Sequence, residues 1–207
     1  MCGRYQLELS MDDILNIIDV LDEVREKYRD DADLSQYTHE KRDIFPGSQA
    51  VVLTTEGLKK PLWGFPLNKK LVFNARSESI FEKPMFRKAA SENRCLVPAN
   101  LFYEWQGKEK IKHMVRTPDP IMYLGGVLEE YAAEDGSVEE RFSIITEASE
   151  NEMASIHPRT PLIIKKEDLK SFMNPSSSIE EVRRIMKGYP EKLLITREDR
   201  DAQLSMF

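Results

Sequence analysis

The sequence predicts a mixed α+β fold: a single domain over residues 1–207 in which mostly antiparallel sheets form a barrel-like core flanked by short helices. Three observations lead there. Strand-like runs outnumber helical ones, and they are short and bounded by turn residues. The helices between them do not recur regularly enough for a doubly wound parallel sheet. The chain shows no internal repeat, low-complexity tract or linker-like stretch.

The elements follow in chain order. From Ser10 to about Tyr28, Met11, Ile14, Leu15, Ile18, Leu21 and Val24 recur at helical spacing, and Ser10 with Asp13 gives a capping-box-like start. The following DDADLSQYTHEKRD is polar and reads as a loop. AVVLTT, LKKPLWGF and LVFNARS are short strand candidates separated by turns. KPMFRKAASEN reads as a helix with Pro84 in its first turn, where a missing N–H is tolerated. CLVPANLFYEW is extended, with Pro98 marking a bend or a sheet edge. PIMYLGGVLEEY and ERFSIITEA, joined across EDGS, read as a hairpin. SENEMASI is a short helix, PLIIK a strand and EDLKSFM another helix. Ser178 with Glu181 caps the helix IEEVRRIMKG, and EKLLIT is the final strand.

Composition bounds the function. A chain of 207 residues can build a core without disulfides or metal. No apolar run approaches the roughly 20 residues of a membrane span. MCGRYQLELSMDD has neither the basic nor the apolar region of a signal peptide. A soluble, cytoplasmic monomer is expected. Two cysteines, Cys2 and Cys95, fit a reducing compartment. Without CxxC, HxxxH, GxGxxG, P-loop or GxSxG spacings, no metal and no cofactor are expected.

The formal net charge of −6 argues at first against nucleic acid. Its distribution removes that argument. Residues 1–45 carry −6, residues 46–116 carry +7 and residues 117–207 carry −7. Local potential, not net charge, attracts phosphates, and the basic block contains Arg76 and Arg87, whose guanidinium forks match phosphate oxygens.

Cys2 is the most unusual placement. Methionine is generally removed before a small residue, which leaves an N-terminal cysteine. Its α-amine titrates at about 7.7–8.0 and its thiol near 8.5. Positive neighbours lower a thiol, and Arg4 is two residues away. Such a 1,2-aminothiol condenses with an aldehyde: the amine gives a Schiff base, then sulfur closes a five-membered thiazolidine. Glu104, among Phe102, Tyr103 and Trp105, is a carboxyl whose pKa burial would raise toward acid/base use. His157, stiffened by Pro158 and Pro161, is a proton-exchange candidate. His39 and His113 read as surface histidines, and Cys95 as a buried small hydrophobe. Asn74 stands at a strand end before Arg76, placed to orient a substrate. Trp63, in WGFP, is either core or a surface on which bases stack.

Taken together these pieces resemble the SRAP family (SOS response-associated peptidase; abasic-site processing proteins). MCGRY, NARSES with EKPMFRKAASENRCLVPANLFYEW, and ITEASENEMASIHPRTPLII carry the likeness, in order, from residue 2 to about 165. The resemblance implies binding of single-stranded DNA and capture of abasic sites, in a DNA damage response. Cys2 would be the nucleophile, Asn74 would position the N-terminus and sugar, and Glu104 would move protons. His157 would stabilise the opened sugar, while Arg4, Arg76 and Arg87 would contact phosphates and Trp63 would stack. The family is also credited with autoproteolytic removal of Met1 and with abasic-site lyase activity. This chain departs from it with Thr160 where HxRMP is usual, PANLFYEW for PADGFYEW, and WGFPLN for the longer WGLIPxW. Two other classes are carried alongside: an N-terminal-nucleophile hydrolase or peptidase, and a non-covalent single-strand binder.

Overall fold

The structure is a computed structural model that describes residues 2–28, 33–133, 135–189 and 192–198. In chain order its elements are β1 (Tyr5–Leu9), α1 (Met11–Ile18), α2 (Asp22–Lys27), β2 (His39–Ile44), β3 (Val52–Thr54), β4 (Gly57–Lys59), β5 (Leu62–Trp63), β6 (Phe65–Leu67), β7 (Lys70–Val72) and β8 (Asn74–Arg76). Next come α3 (Pro84–Glu92), β9 (Arg94–Ala99), β10 (Leu101–Gln106), β11 (Ile111–Arg116), β12 (Met122–Ala132), β13 (Val138–Ala148) and α4 (Asn151–Ile156). The chain ends with β14 (Arg159–Pro161), β15 (Ile163–Ile164), α5 (Leu169–Met173), α6 (Ile179–Ile185) and β16 (Leu194–Arg197).

A five-stranded antiparallel sheet runs β16-β11-β10-β1-β2. A nine-stranded sheet runs β14-β13-β12-β9-β3-β4, with β15 on β12 and with β5 and β8 lying parallel to β13. β6 and β7 form a separate hairpin. The fold is therefore the expected α+β arrangement with mostly antiparallel pairing. Neither sheet closes in its strand order among the described residues, and both contribute to one shared core. Tyr5, Leu7 and Phe102 from the first sheet join Leu96, Leu124 and Ile144 from the second in one buried cluster.

Several elements form as the sequence predicts. Ser10 accepts from the Asp13 N–H while Asp13 accepts from the Ser10 N–H, closing the capping box. Pro84 opens α3, and the Ser178 hydroxyl caps α6. β12 and β13 are the long hairpin, paired from Gly126–Ile144 to Ala132–Val138.

Other expectations are corrected. The helix from Ser10 to Tyr28 is two helices, because Leu21 is extended (φ −122°, ψ 122°) between them. That break lets Ile14, Ile17 and Ile18 on one piece and Leu21 and Val24 on the other all reach the core. The polar stretch read as a loop contains β2, an edge strand whose hydrogen bonds come from β1. Residues 30–32 of that stretch lie outside the described residues. Pro98 sits inside β9, opposite Tyr123; β3 pairs with β9 at Leu96, so Pro98 removes no ladder bond there, and the bend falls at Asn100. His113 is 7% exposed, on β11 directly across from Glu104, and is no surface histidine.

Trp63 is fully buried, so it offers no face to a base. Its ring lies 5.3 Å from Tyr5, 6.0 Å from Phe73 and 6.1 Å from Phe142, and its indole N–H donates to the Phe73 carbonyl at 2.9 Å. Residues 62 and 63 form the short β5 beside β13, which turns the indole inward. The stacking role is corrected to a core role: Trp63 ties β1 to the segment that leads into Asn74.

Candidate active site

The N-terminal strand fixes the site. β1 and β10 pair antiparallel with Tyr5 opposite Phe102, and the Tyr103 N–H donates to the Arg4 carbonyl at 3.0 Å. Continued toward the N-terminus, that register runs Cys2 and Gly3 alongside Glu104. Both side chains are removed from water, Cys2 at 0% and Glu104 at 2% exposure. Met1, whose removal the sequence reading requires, lies outside the described residues.

Burial dominates the electrostatics. The Cys2 thiol is pushed up to about 12, first by desolvation and then by the Glu104 charge. The expectation that Arg4 activates the thiol is thereby corrected. The Arg4 fork is held by Asp43 at 2.6 and 2.8 Å, and its guanidinium lies against the Phe45 and Tyr103 rings. Tyr103 donates to Asp43 at 2.9 Å, completing that anchor. The thiol itself lies 3.9 Å from the Arg4 carbonyl, the acceptor it faces. Desolvation likewise raises Glu104, with His157 opposing the shift. Burial therefore favours the protonated carboxyl over the charged one.

His157 ends α4, its N–H donating to the Met153 carbonyl at 3.0 Å. Its Nδ1 lies 3.9 Å from Glu104 Oε2, within ion-pair range when the ring is protonated. Nδ1 also lies 3.1 Å from the Arg159 N–H and 2.9 Å from the Arg159 carbonyl. The N–H serves an unprotonated Nδ1 and the carbonyl a protonated one, so the backbone accommodates either state without moving the ring.

Asn74 begins β8, which pairs parallel with β13 at Ile144. Its Nδ2 donates to the Phe73 carbonyl at 2.9 Å, the same acceptor that Trp63 uses. Its Oδ1 is buried with no hydrogen-bond partner among the described residues. Arg76, two residues on, is exposed, and so is Arg87 on α3; no carboxylate pairs with either among the described residues. The structure thus brings Cys2, Glu104 and His157 together and ties Asn74 to them through Trp63 and Tyr5. Arg87 makes no contact with that group among the described residues.

Sequence reasoning missed Arg159. It grips Glu78 through both oxygens at 2.5 and 2.9 Å and the Thr146 carbonyl at 2.5 Å, locking the backbone that clasps His157. Its signal was present in HPRTP, two residues after the histidine. A cavity of about 360 Å³ lies apart from this centre, lined by Glu147, Met153, Thr160, Tyr189 and Leu193 among others, and includes none of the four residues. No group of three His, Cys, Asp or Glu among the described residues is arranged to hold a metal, and no described helix is long and apolar enough to cross a membrane.

Comparison with known proteins gives this geometry a context. The SOS response associated peptidase (SRAP) family model matches residues 1–199. Abasic site processing protein YoqW of Bacillus subtilis is 28% identical over 193 residues, covering 86% of this chain and 82% of that one. Abasic site processing protein YedK of Escherichia coli is 24% identical over 194 residues, covering 89% and 85%. A crystal structure of a Bacteroides thetaiotaomicron protein shares the fold with a TM-score of 0.78 at 23% identity, covering 98% of this chain and 94% of that one.

Proposed function

The chain belongs to the SOS response associated peptidase family, and from that membership we propose that it processes abasic sites in single-stranded DNA by capturing them covalently at Cys2. The observation that carries the reading is the convergence of a buried Cys2, a buried Glu104 with a raised pKa, and His157 at 3.9 Å from that carboxylate. Relatives named abasic site processing proteins, similar over most of their length, support the substrate class.

An abasic site exposes an aldehyde at C1′ of the opened sugar. The free amine of Cys2 attacks it, and water departs as the C=N bond forms. Sulfur then adds to that carbon while the thiol proton passes to nitrogen, closing the thiazolidine. A thiol held near 12 is a poor nucleophile alone, so proton removal must accompany attack. Glu104 serves both halves: protonated, it assists loss of the hydroxyl, and ionised, it accepts the thiol proton. His157 hydrogen-bonds the opened sugar and assists proton transfer. Asn74 orients the terminus and sugar, and Arg76 and Arg87 meet phosphates. Removal of Met1 is obligatory here, because with Met1 retained the Cys2 nitrogen is an amide. The family's self-cleavage and lyase chemistry draw on the same groups.

Intact mass and denaturing electrophoresis after incubation with abasic single-stranded DNA test this. The processed protein gains the mass of the oligonucleotide less one water. Cys2→Ala and a Met1-retaining form give no adduct. An adduct with Cys2→Ala at the wild-type level refutes the mechanism. Turnover of a peptide or amide without an adduct favours the N-terminal-nucleophile hydrolase, and salt-sensitive binding without an adduct favours the plain single-strand binder.

A further inference from the structure

With Trp63 sealed in the core, an aromatic surface for DNA has to come from elsewhere. Phe45, directly after β2, is 45% exposed, although a ring of that size is ordinarily buried. It stands on a well-braced turn. Ser48 N–H donates to the Phe45 carbonyl at 3.0 Å, Gly47 N–H to the Trp63 carbonyl at 2.7 Å, and Trp63 N–H to the Ser48 carbonyl at 2.9 Å. Gly47 has φ +90°, which the turn requires and which side-chain-bearing residues resist. The Arg4 guanidinium lies 4.9 Å from the centre of the Phe45 ring, and the Arg4 carbonyl lies 3.9 Å from the Cys2 sulfur. One residue therefore links the ring to the nucleophile.

The surface continues onto the β6–β7 hairpin. Leu71, 37% exposed, packs beside Gly47, and Lys69 and Lys70 stand exposed at the turn with no ion pair among the described residues. An open ring backed by a guanidinium, with exposed lysines on the neighbouring hairpin, matches the two demands of single-stranded nucleic acid: a face for a base and cations for its backbone.

We propose that Phe45 is the stacking platform for a nucleobase adjacent to the captured lesion, with Arg4 supporting the ring from behind and Lys69 and Lys70 following the phosphates. The inference rests on the DNA-capture reading. Asp43 already neutralises Arg4, which suits it to a supporting role rather than to gripping phosphate.

The test places 2-aminopurine next to a tetrahydrofuran abasic analogue in a single-stranded oligonucleotide, so that binding is read without covalent chemistry. Wild type is expected to quench its fluorescence. Phe45→Trp should retain the quenching. Phe45→Leu, which keeps apolar bulk but has no π-face, should lose it and weaken binding by about 5- to 150-fold. The salt dependence of Phe45→Leu should match wild type, whereas replacing both Lys69 and Lys70 by Ala should lower the salt slope by about 1.4. Quenching and affinity unchanged in Phe45→Leu overturn the proposal, as does failure of wild type to bind the oligonucleotide. The two readings fail separately: Phe45-dependent quenching without any adduct on true abasic DNA defeats only the capture mechanism. An adduct with Phe45-independent quenching defeats only the stacking.

Discussion

Glu104 sits in a setting that disfavours its charge. A carboxyl at 2% exposure is stabilised in its neutral form, and a nearby thiol and imidazole give it partners for proton exchange. Glu104→Gln preserves the shape and removes the exchange. Capture in a single-turnover time course should slow by about 10²- to 10⁴-fold, while thermal unfolding stays at or above wild type. A wild-type rate would assign the proton transfers elsewhere. At this scale Cys2, Glu104 and His157 were legible as candidates because their intrinsic chemistry is set by residue type, while their proximity is a matter of the fold. Trp63 was not, because its exposure depends on which way a two-residue strand faces. The Cys2 thiol was misjudged for a related reason: Arg4 is near in sequence, but its charge is answered by Asp43 from another strand.

Among the elements, caps and turns were legible because they are local. The Ser10 and Ser178 caps and the β12–β13 hairpin need nothing beyond a few consecutive residues. β2 was not, since HEKRDI has no apolar alternation and is a strand only through β1. Arg94 shows how tertiary contacts join elements. This arginine, 3% exposed, donates to the Ala90 and Ser91 carbonyls at the end of α3 and to the Phe172 and Asn174 carbonyls at the end of α5. A cation at two helix C-termini meets their partial negative charge and satisfies carbonyls the helices leave open. Arg94→Met should therefore cost at least about 3 kcal/mol in denaturant unfolding, since charged hydrogen bonds are lost and buried carbonyls are left bare. A loss below about 1 kcal/mol would show that water replaces the guanidinium.

For the whole molecule, the +7 block is less uniform in space than along the chain. Lys59 pairs with Glu56 and Glu140, Lys88 with Glu129, and Lys112 with Glu198, while Lys69, Lys70, Arg76 and Arg87 have no ion pair among the described residues. A second whole-molecule property comes from Glu147, which burial in its cavity raises to about 7 from an ordinary 4.5, against the opposing Gly188 N–H. The folded state then binds a proton that the unfolded state has released. Its contribution to stability is complete below about 4.5 and lost as pH rises toward about 7. Thermal unfolding of Glu147→Gln should fall less across that window than that of wild type, and parallel pH profiles would contradict the assignment. The sequence by itself determined the fold class, most helices and which residues are candidates for the site, because periodicity, capping and residue chemistry act over a few neighbours. Only the tertiary structure decided the pairing of β1 with β10 that carries Cys2 to Glu104, the burial of Trp63 and the exposure of Phe45. Each depends on strand register and on packing between residues far apart in the chain, and desolvation, which sets the pKa values of the site, exists only once that packing is complete.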